Sequence, residues 1–216
     1  VNPFLNALVA AFALFMLIRH GRRGLLFAWP RLVRVTGEER PSTVAQLRAA
    51  SELESLGFRR IGSKQERGLG GGLDLQSEVY VNRAAGTFAD VYAHQPPGVP
   101  TAMVTFLSPF PDGALVLTAN HPRVPILSDK GLVGGLPLTD IDGTWGAHQK
   151  AIDHFTPKHG TPVVQEDLAN RLEVARAWYR GIGGRELRKL FTVNFFNALI
   201  AVLLLAGTVE VVLKRR

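Results

Sequence analysis

The chain contains no cysteine among its 216 residues. Disulfides, thiolate zinc sites and cysteine nucleophiles are therefore excluded. Aromatics are few, at 8%, although 46% of the chain is apolar. That composition and length suit one domain with a modest core plus additional segments. Acidic residues are also in deficit: 18 Asp and Glu face 25 Lys and Arg, a formal charge of +7 with a pI near 10.2. Such a balance points to nucleic acid or to a membrane surface, and its distribution decides between them. Arg19, Arg22, Arg23, Arg31 and Arg34 have no acidic residue among them, residues 36 to 180 hold 14 basic against 16 acidic residues, and the stretch from Gly181 onward holds six against two. The middle is slightly acidic, so nucleic acid is not an expected partner. The excess flanks two apolar runs, the pattern of a protein held in membrane lipid.

Catalytic signatures are missing as well. No Gly-x-Ser-x-Gly element occurs, and the glycine-rich "RGLGGGLD" from Arg67 to Asp74 lacks a following Lys-Ser or Lys-Thr, so it reads as a flexible loop instead of a nucleotide cradle. Neither apolar run contains histidine, so axial ligation of haem or chlorophyll by this chain is not expected. No cofactor and no metal is assigned.

The first apolar run extends from Pro3 to Ile18 without a charge, and the second from Leu190 to Val209 before Glu210. A spanning helix needs roughly 17 to 25 residues. A cleaved leader would carry its basic residues ahead of the apolar core, whereas here "RHGRR" follows it. The chain therefore divides into a transmembrane helix over residues 1–18, a basic interfacial segment over 19–36 and an α+β domain over 37–184. A second transmembrane helix with basic flanks follows over 185–213, and a basic tail over 214–216. Two buried helices of a soluble domain are the alternative. Trp29 with Arg19, Arg22, Arg23, Arg188 and Lys189 are the expected interfacial anchors. By the bias of basic residues toward the cytoplasm, the domain is expected on the cytoplasmic side of a bacterial inner membrane with both termini outside, although Lys214, Arg215 and Arg216 oppose this.

Within the domain, "STVAQLRAASELESLG" predicts a helix capped by Ser42 or Thr43 and closed by Gly57, with Val44, Leu47, Ala50, Leu53 and Leu56 on its apolar face. Alternating runs follow. "FRRIGSKQ", then two segments around Ala-Gly and two around Pro-Asp-Gly, predict an antiparallel meander of about five strands with helices packed on one face. Val164, Leu168, Leu172, Ala175, Tyr179 and Ile182 form one further helical stripe, and Gly181, Gly183 and Gly184 read as a flexible joint to the second span.

The residues "DIDGT", Asp140 to Thr144, resemble the nucleophile signature of the haloacid dehalogenase phosphohydrolases. That resemblance implies Asp140 as nucleophile at the end of a buried parallel strand and Asp142 as acid and base. The preceding "VGGLPLT" is a poor strand, and no later acidic pair completes the family's pattern. A helix from Asp140 to Phe155, ended by Pro157, explains the same residues structurally: Ile141, Trp145, His148, Ile152 and Phe155 form its buried stripe. Thr139 is then the N-cap and Asp142 the capping-box carboxylate. His148 reads as a core residue with one hydrogen bond, while His154 and His159 read as solvated and are wrongly spaced for a shared metal.

Polar residues in the spans carry the most information about partners. Asn6, Asn194, Asn197 and Glu210 are expected to face protein, with Asn6 and Glu210 near one membrane surface and able to pair. The expected function is that of a non-enzymatic two-span accessory, scaffolding or assembly subunit of a larger membrane complex, respiratory or photosynthetic for example. Its partners would be lipid and other membrane subunits. A membrane-tethered small-ligand sensor is the alternative, and a phosphohydrolase using Asp140 and Asp142 the third reading.

Overall fold

The computed structural model describes residues 3–94, 102–137 and 139–214. Arg215 and Arg216 of the basic tail lie outside them. The fold is α+β. Among the described residues five α-helices, α1 (Pro3–Ala28), α2 (Val44–Ser55), α3 (Ile141–His159), α4 (Leu168–Arg180) and α5 (Ile182–Leu213), accompany one eight-stranded sheet. Its strands are β1 (Arg34–Gly37), β2 (Arg59–Arg67), β3 (Asp74–Asn82), β4 (Thr87–Tyr92), β5 (Val104–Pro109), β6 (Leu115–Ala119), β7 (Ile126–Ser128) and β8 (Gly131–Gly135).

The expected meander forms as β2 to β6, every neighbour antiparallel. Eight strands replace the expected five because β1, β7 and β8 are too short or too glycine-rich to show alternation in sequence. β8 lies parallel to β6, and β7 closes the edge beside it. The β3–β4 turn depends on Gly86, whose φ of +61° and close approach to the Pro162 backbone leave no room for a side chain.

Helices cover both faces of the sheet, not one. On one face α2 and α3 bury Leu53, Phe58, Tyr80, Val91, Phe106, Ile141 and Trp145. On the other, α4 and the first turns of α5 bury Leu107, Leu117, Ala175, Trp178, Tyr179 and Ile182, joined by Leu26 of α1. Period-two alternation allows this, since each strand sends apolar residues to both sides: Phe106 to the first core and Leu107 to the second.

Several local expectations need correction. Thr43 caps α2 in a capping box with Gln46, as its type suggests, but the buried face is Gln46, Ala49 and Leu53. Val44 and Leu47 are 67% and 60% exposed. A strict three-residue spacing drifts around a 3.6-residue helix, so residues so spaced do not share one face. Residues 161–167 are not helical; α4 starts after Asp167, whose side chain accepts from the Asn170 amide. Pro157 sits inside α3, which runs one turn past the expected stop. Finally, α1 does not end at Ile18 but continues through the basic cluster to Ala28.

α1 and α5 lie against each other as a helical hairpin, with Phe27 stacked on Phe195 at 4.4 Å between ring centroids. Both are long and apolar enough to cross a membrane, and only 6% of each apolar window is buried. They are therefore not core helices. The joint read as flexible is instead tightly packed: Gly183 and Gly184 are buried in the first turn of α5, where an added Cβ at Gly183 would overlap the Trp178 indole and one at Gly184 would press on the Tyr179 carbonyl. The glycines of "RGLGGGLD" likewise admit close contact, since a Cβ at Gly72 would meet the Arg22 carbonyl of α1. Both glycine clusters thus fix the hairpin to the domain.

Candidate functional site: a buried ion cluster and the cleft at the foot of the hairpin

Sheet alternation places Lys64 and Glu66 of β2 and Asp90 of β4 on the face covered by α4, and α4 brings Arg171 and Tyr179 onto them. Lys64 is 0% and Asp90 1% exposed. Lys64 Nζ donates to Glu66 Oε1 and lies 3.3 Å from Asp90 Oδ2. Arg171 grips Asp90 with two donors, Nε at 3.2 Å from Oδ1 and Nη2 on Oδ2, and the Tyr179 hydroxyl donates to Glu66 Oε2 at 2.7 Å. Two cations meet two anions, so the cluster is neutral overall. Burial by itself would raise the Asp90 pKa, but Arg171 and Lys64 outweigh it and hold the carboxylate below its ordinary value. Burial equally opposes the Lys64 charge, and Asp90 with Glu66 outweigh it and hold the ammonium above its ordinary value.

A second pair lies beside this cluster. Arg123 Nη2 donates to Glu186 Oε2 at 2.6 Å, and the guanidinium sits over the Trp178 ring at 5.8 Å. Between the domain and α5 these residues border a cleft of about 320 Å³, walled by Leu73, Leu75, Trp178, Leu187, Leu190 and Phe191. Leu75, Arg123, Trp178 and Tyr179 also line a smaller cavity of about 30 Å³ that reaches Asp90 and Arg171. Burial pulls the neighbouring His121 imidazole down to about 4, so it is neutral at physiological pH.

Tyr179 lies on the helical stripe read from the sequence, whereas the charged residues of the site are not marked there, although two of them carry a signal. Asp90 interrupts the apolar strand "FADVY", and Arg171 falls on the Leu168–Ala175 stripe of α4 at helical spacing. A charge on each of two buried faces is the mark of a buried pair. Lys64 and Glu66 gave no such signal, because "RRIGSKQER" reads as a solvated strand.

The residues expected to carry function are dispersed. Arg19, Arg22, Arg23, Arg188 and Lys189 are exposed on the turns of α1 and α5 nearest the domain, and Trp29, 46% exposed, follows α1 directly. They form a basic collar with one aromatic. Asn194 Nδ2 and His20 Nδ1 lie 3.0 Å apart between the helices. Asn197 and Asn6 are half-buried. The expected Asn6–Glu210 pair does not form, since Glu210 is exposed and bonds to Lys214 one turn along its own helix.

Asp140, not Thr139, is the N-cap of α3, its Oδ1 accepting from the Gly143 amide at 2.7 Å. Asp142 is then an exposed first-turn residue with no capping-box role. Asp140 wins because its extended backbone places Oδ1 three residues ahead of an unpaired amide. Asp140→Ala is accordingly expected to lower stability by about 0.5–2 kcal/mol and Thr139→Ala by only a few tenths, read as shifts in a denaturant midpoint. His148 is fully buried with two partners, Ser108 Oγ and Thr118 Oγ1, each at 3.0 Å, and burial lowers its pKa to about 3. That Ser–His contact has the spacing of a nucleophile and base, but Ser108 is 0% exposed and the third group is a hydroxyl, not a carboxylate. His159 is buried rather than solvated, bonded to Asp112 at 2.8 Å. Among the described residues no three His, Asp or Glu side chains converge as metal ligands.

No known protein family matches the chain, and neither a curated protein nor a solved structure does so.

Proposed function

We propose that this is a non-enzymatic, two-span integral membrane protein that holds its α+β domain rigidly at the membrane surface, as an accessory, scaffolding or assembly subunit of a larger membrane complex. The observation that carries the reading is the outer surface of the hairpin. Phe4, Leu8, Phe12, Phe15 and Ile18 on α1 and Leu190, Val193, Phe196, Ile200 and Leu203 on α5 are all more than half exposed. At roughly 1 kcal/mol for each half-exposed side chain, ten of them in water forfeit on the order of 10 kcal/mol. That matches the whole net stability of a typical domain, roughly 5–15 kcal/mol, so the surface belongs in lipid or against another subunit. The collar at the domain end of the hairpin supports a cytoplasmic domain and outward termini in a bacterial inner membrane. Capping by Asp140 supports a structural role for "DIDGT" over a phosphohydrolase.

The protein is expected to stay in the membrane fraction through alkaline carbonate and high salt, and to leave it with partners in mild detergent. Release by carbonate rejects the spanning reading, and a monomer in mild detergent rejects the subunit reading. Orientation has a clean assay because the chain has no cysteine. Ser51→Cys, exposed on α2, is expected to react with an impermeant maleimide only after cells are permeabilised. Labelling of intact cells would place the domain outside. A second reading, a membrane-tethered sensor of a small ligand, is favoured by one observation, the cleft between domain and α5.

A further inference from the structure

We propose that the cleft at the foot of α5 binds a neutral amphiphile, its hydrocarbon tail along Leu187, Leu190 and Phe191 and a carbonyl-bearing head turned inward toward Arg123 and Arg171. Size comes first. A volume of about 320 Å³ lies at the lower end of the ligand-pocket range, roughly 300–1,000 Å³. Polarity is graded along it. The outer wall is made by Leu187, Leu190 and Phe191, and the last two begin the uncharged run of α5 immediately after the exposed Arg188 and Lys189. An apolar wall at the level of a basic collar opens where hydrocarbon begins, so a tail reaches it sideways from lipid.

The inner end supplies the recognition chemistry. Arg123 Nε and Arg171 Nη1 are both buried and both without a hydrogen-bond partner among the described residues, and both side chains line the inner cavity of about 30 Å³. A buried donor without an acceptor is costly, and two beside one cavity call for oxygen acceptors. Charge then selects the kind of acceptor. Lys64, Arg171, Glu66 and Asp90 cancel, Arg123 cancels with Glu186, and His121 is neutral. A carboxylate or phosphate head would be the one uncompensated charge in a desolvated site. A carbonyl oxygen accepts from the same donors without that penalty. Two sources share this chemistry, a lipid-soluble quinone and the ester groups of an acylglycerol.

Lateral entry rests on the reading that α5 spans a bilayer, but binding itself is measurable without one. The full-length protein, released intact from detergent micelles in a mass spectrometer, is titrated with a decyl-substituted benzoquinone, with 1,2-dioctanoylglycerol and with sodium dodecanoate. The expected result is a one-to-one adduct with at least one neutral probe, weakened at least tenfold by Leu190→Trp at the mouth and unchanged by Leu199→Trp farther along α5. Dodecanoate gives no adduct at the same concentration. Whichever neutral probe is retained assigns the source, and retention of both leaves the shared chemistry standing. Absence of both neutral adducts, equal binding of dodecanoate, or insensitivity to Leu190→Trp overturns the proposal. A protein that binds a neutral probe yet is released by carbonate keeps the cleft and loses the spanning reading. One that resists carbonate and binds neither probe loses only the cleft.

Discussion

Asp90→Ala is expected to lower the stability of the domain by about 3–5 kcal/mol, the cost of removing one partner from a buried ion pair. The physical reason is what remains. Without that carboxylate, Lys64 and Arg171 share a desolvated space with Glu66 alone, and the excess positive charge has no water to relax it. The net worth of the cluster is much smaller than this, because its Coulomb energy is largely spent on desolvation. Replacing Lys64, Glu66, Asp90 and Arg171 together by Met, Gln, Leu and Met leaves no buried charge unpaired and is therefore expected to cost far less than Asp90→Ala alone. If the quadruple variant is the less stable of the two in a denaturant titration, the cluster contributes net stability.

The same cluster sets a pH dependence whose sign follows from the two shifts. Asp90 is held below its ordinary value in the folded chain, so its contribution is fully present above an unfolded pKa of about 3.9 and is lost as pH falls through the depressed folded value. Lys64 is held above its ordinary value, so its contribution is fully present below about 10.4 and is lost as pH rises through the folded value. A plateau between these limits is expected. Asp90→Ala should lack the acid-side component, so that its deficit against the unaltered protein narrows on moving from pH 7 to pH 3.

Trp178→Ala is expected to cost about 3–5 kcal/mol, the range for removing a large buried aromatic. Trp178 is 6% exposed, packs in the core beneath the hairpin and carries the Arg123 guanidinium over its ring. Its loss would also enlarge the cleft and loosen the hold of the domain on α5. The converse change is equally informative: Gly183→Ala adds a Cβ that overlaps the indole and should cost about 1–3 kcal/mol by overpacking. Since the indole is the obstacle, Gly183→Ala in a Trp178→Ala background should cost much less than in the native chain. Strict additivity in thermal midpoints measured in detergent would mean that the two residues do not meet.

The cap of α2 at Thr43, the strand runs of β2 to β6 and the stripe of α3 were legible because each is written in local period and residue type. The three strands without a signal share one cause. β1, β7 and β8 have little pattern of their own and are held by their neighbours, and β8 pairs with β6 across a parallel connection that no hairpin signal announces. Glycines were misread for a related reason. "RGLGGGLD" and Gly181 to Gly184 have the composition of loose chain, but Gly72, Gly183 and Gly184 serve close backbone approach, which depends on what arrives from elsewhere in the fold.

By itself, then, the sequence determined an α+β domain between two helices long and apolar enough to cross a membrane, with basic residues gathered where those helices meet the domain. Composition and period suffice for that, because hydrophobic burial reads residue type along one element at a time. Only the tertiary structure decided that helices cover both faces of the sheet and that Lys64, Glu66, Asp90 and Arg171 form one neutral buried cluster. It alone also placed an apolar cleft ending in unpaired guanidinium donors beside that cluster. Those facts join β2, β4 and α4, elements far apart in the chain, and local pattern carries no information about which distant charge will answer another.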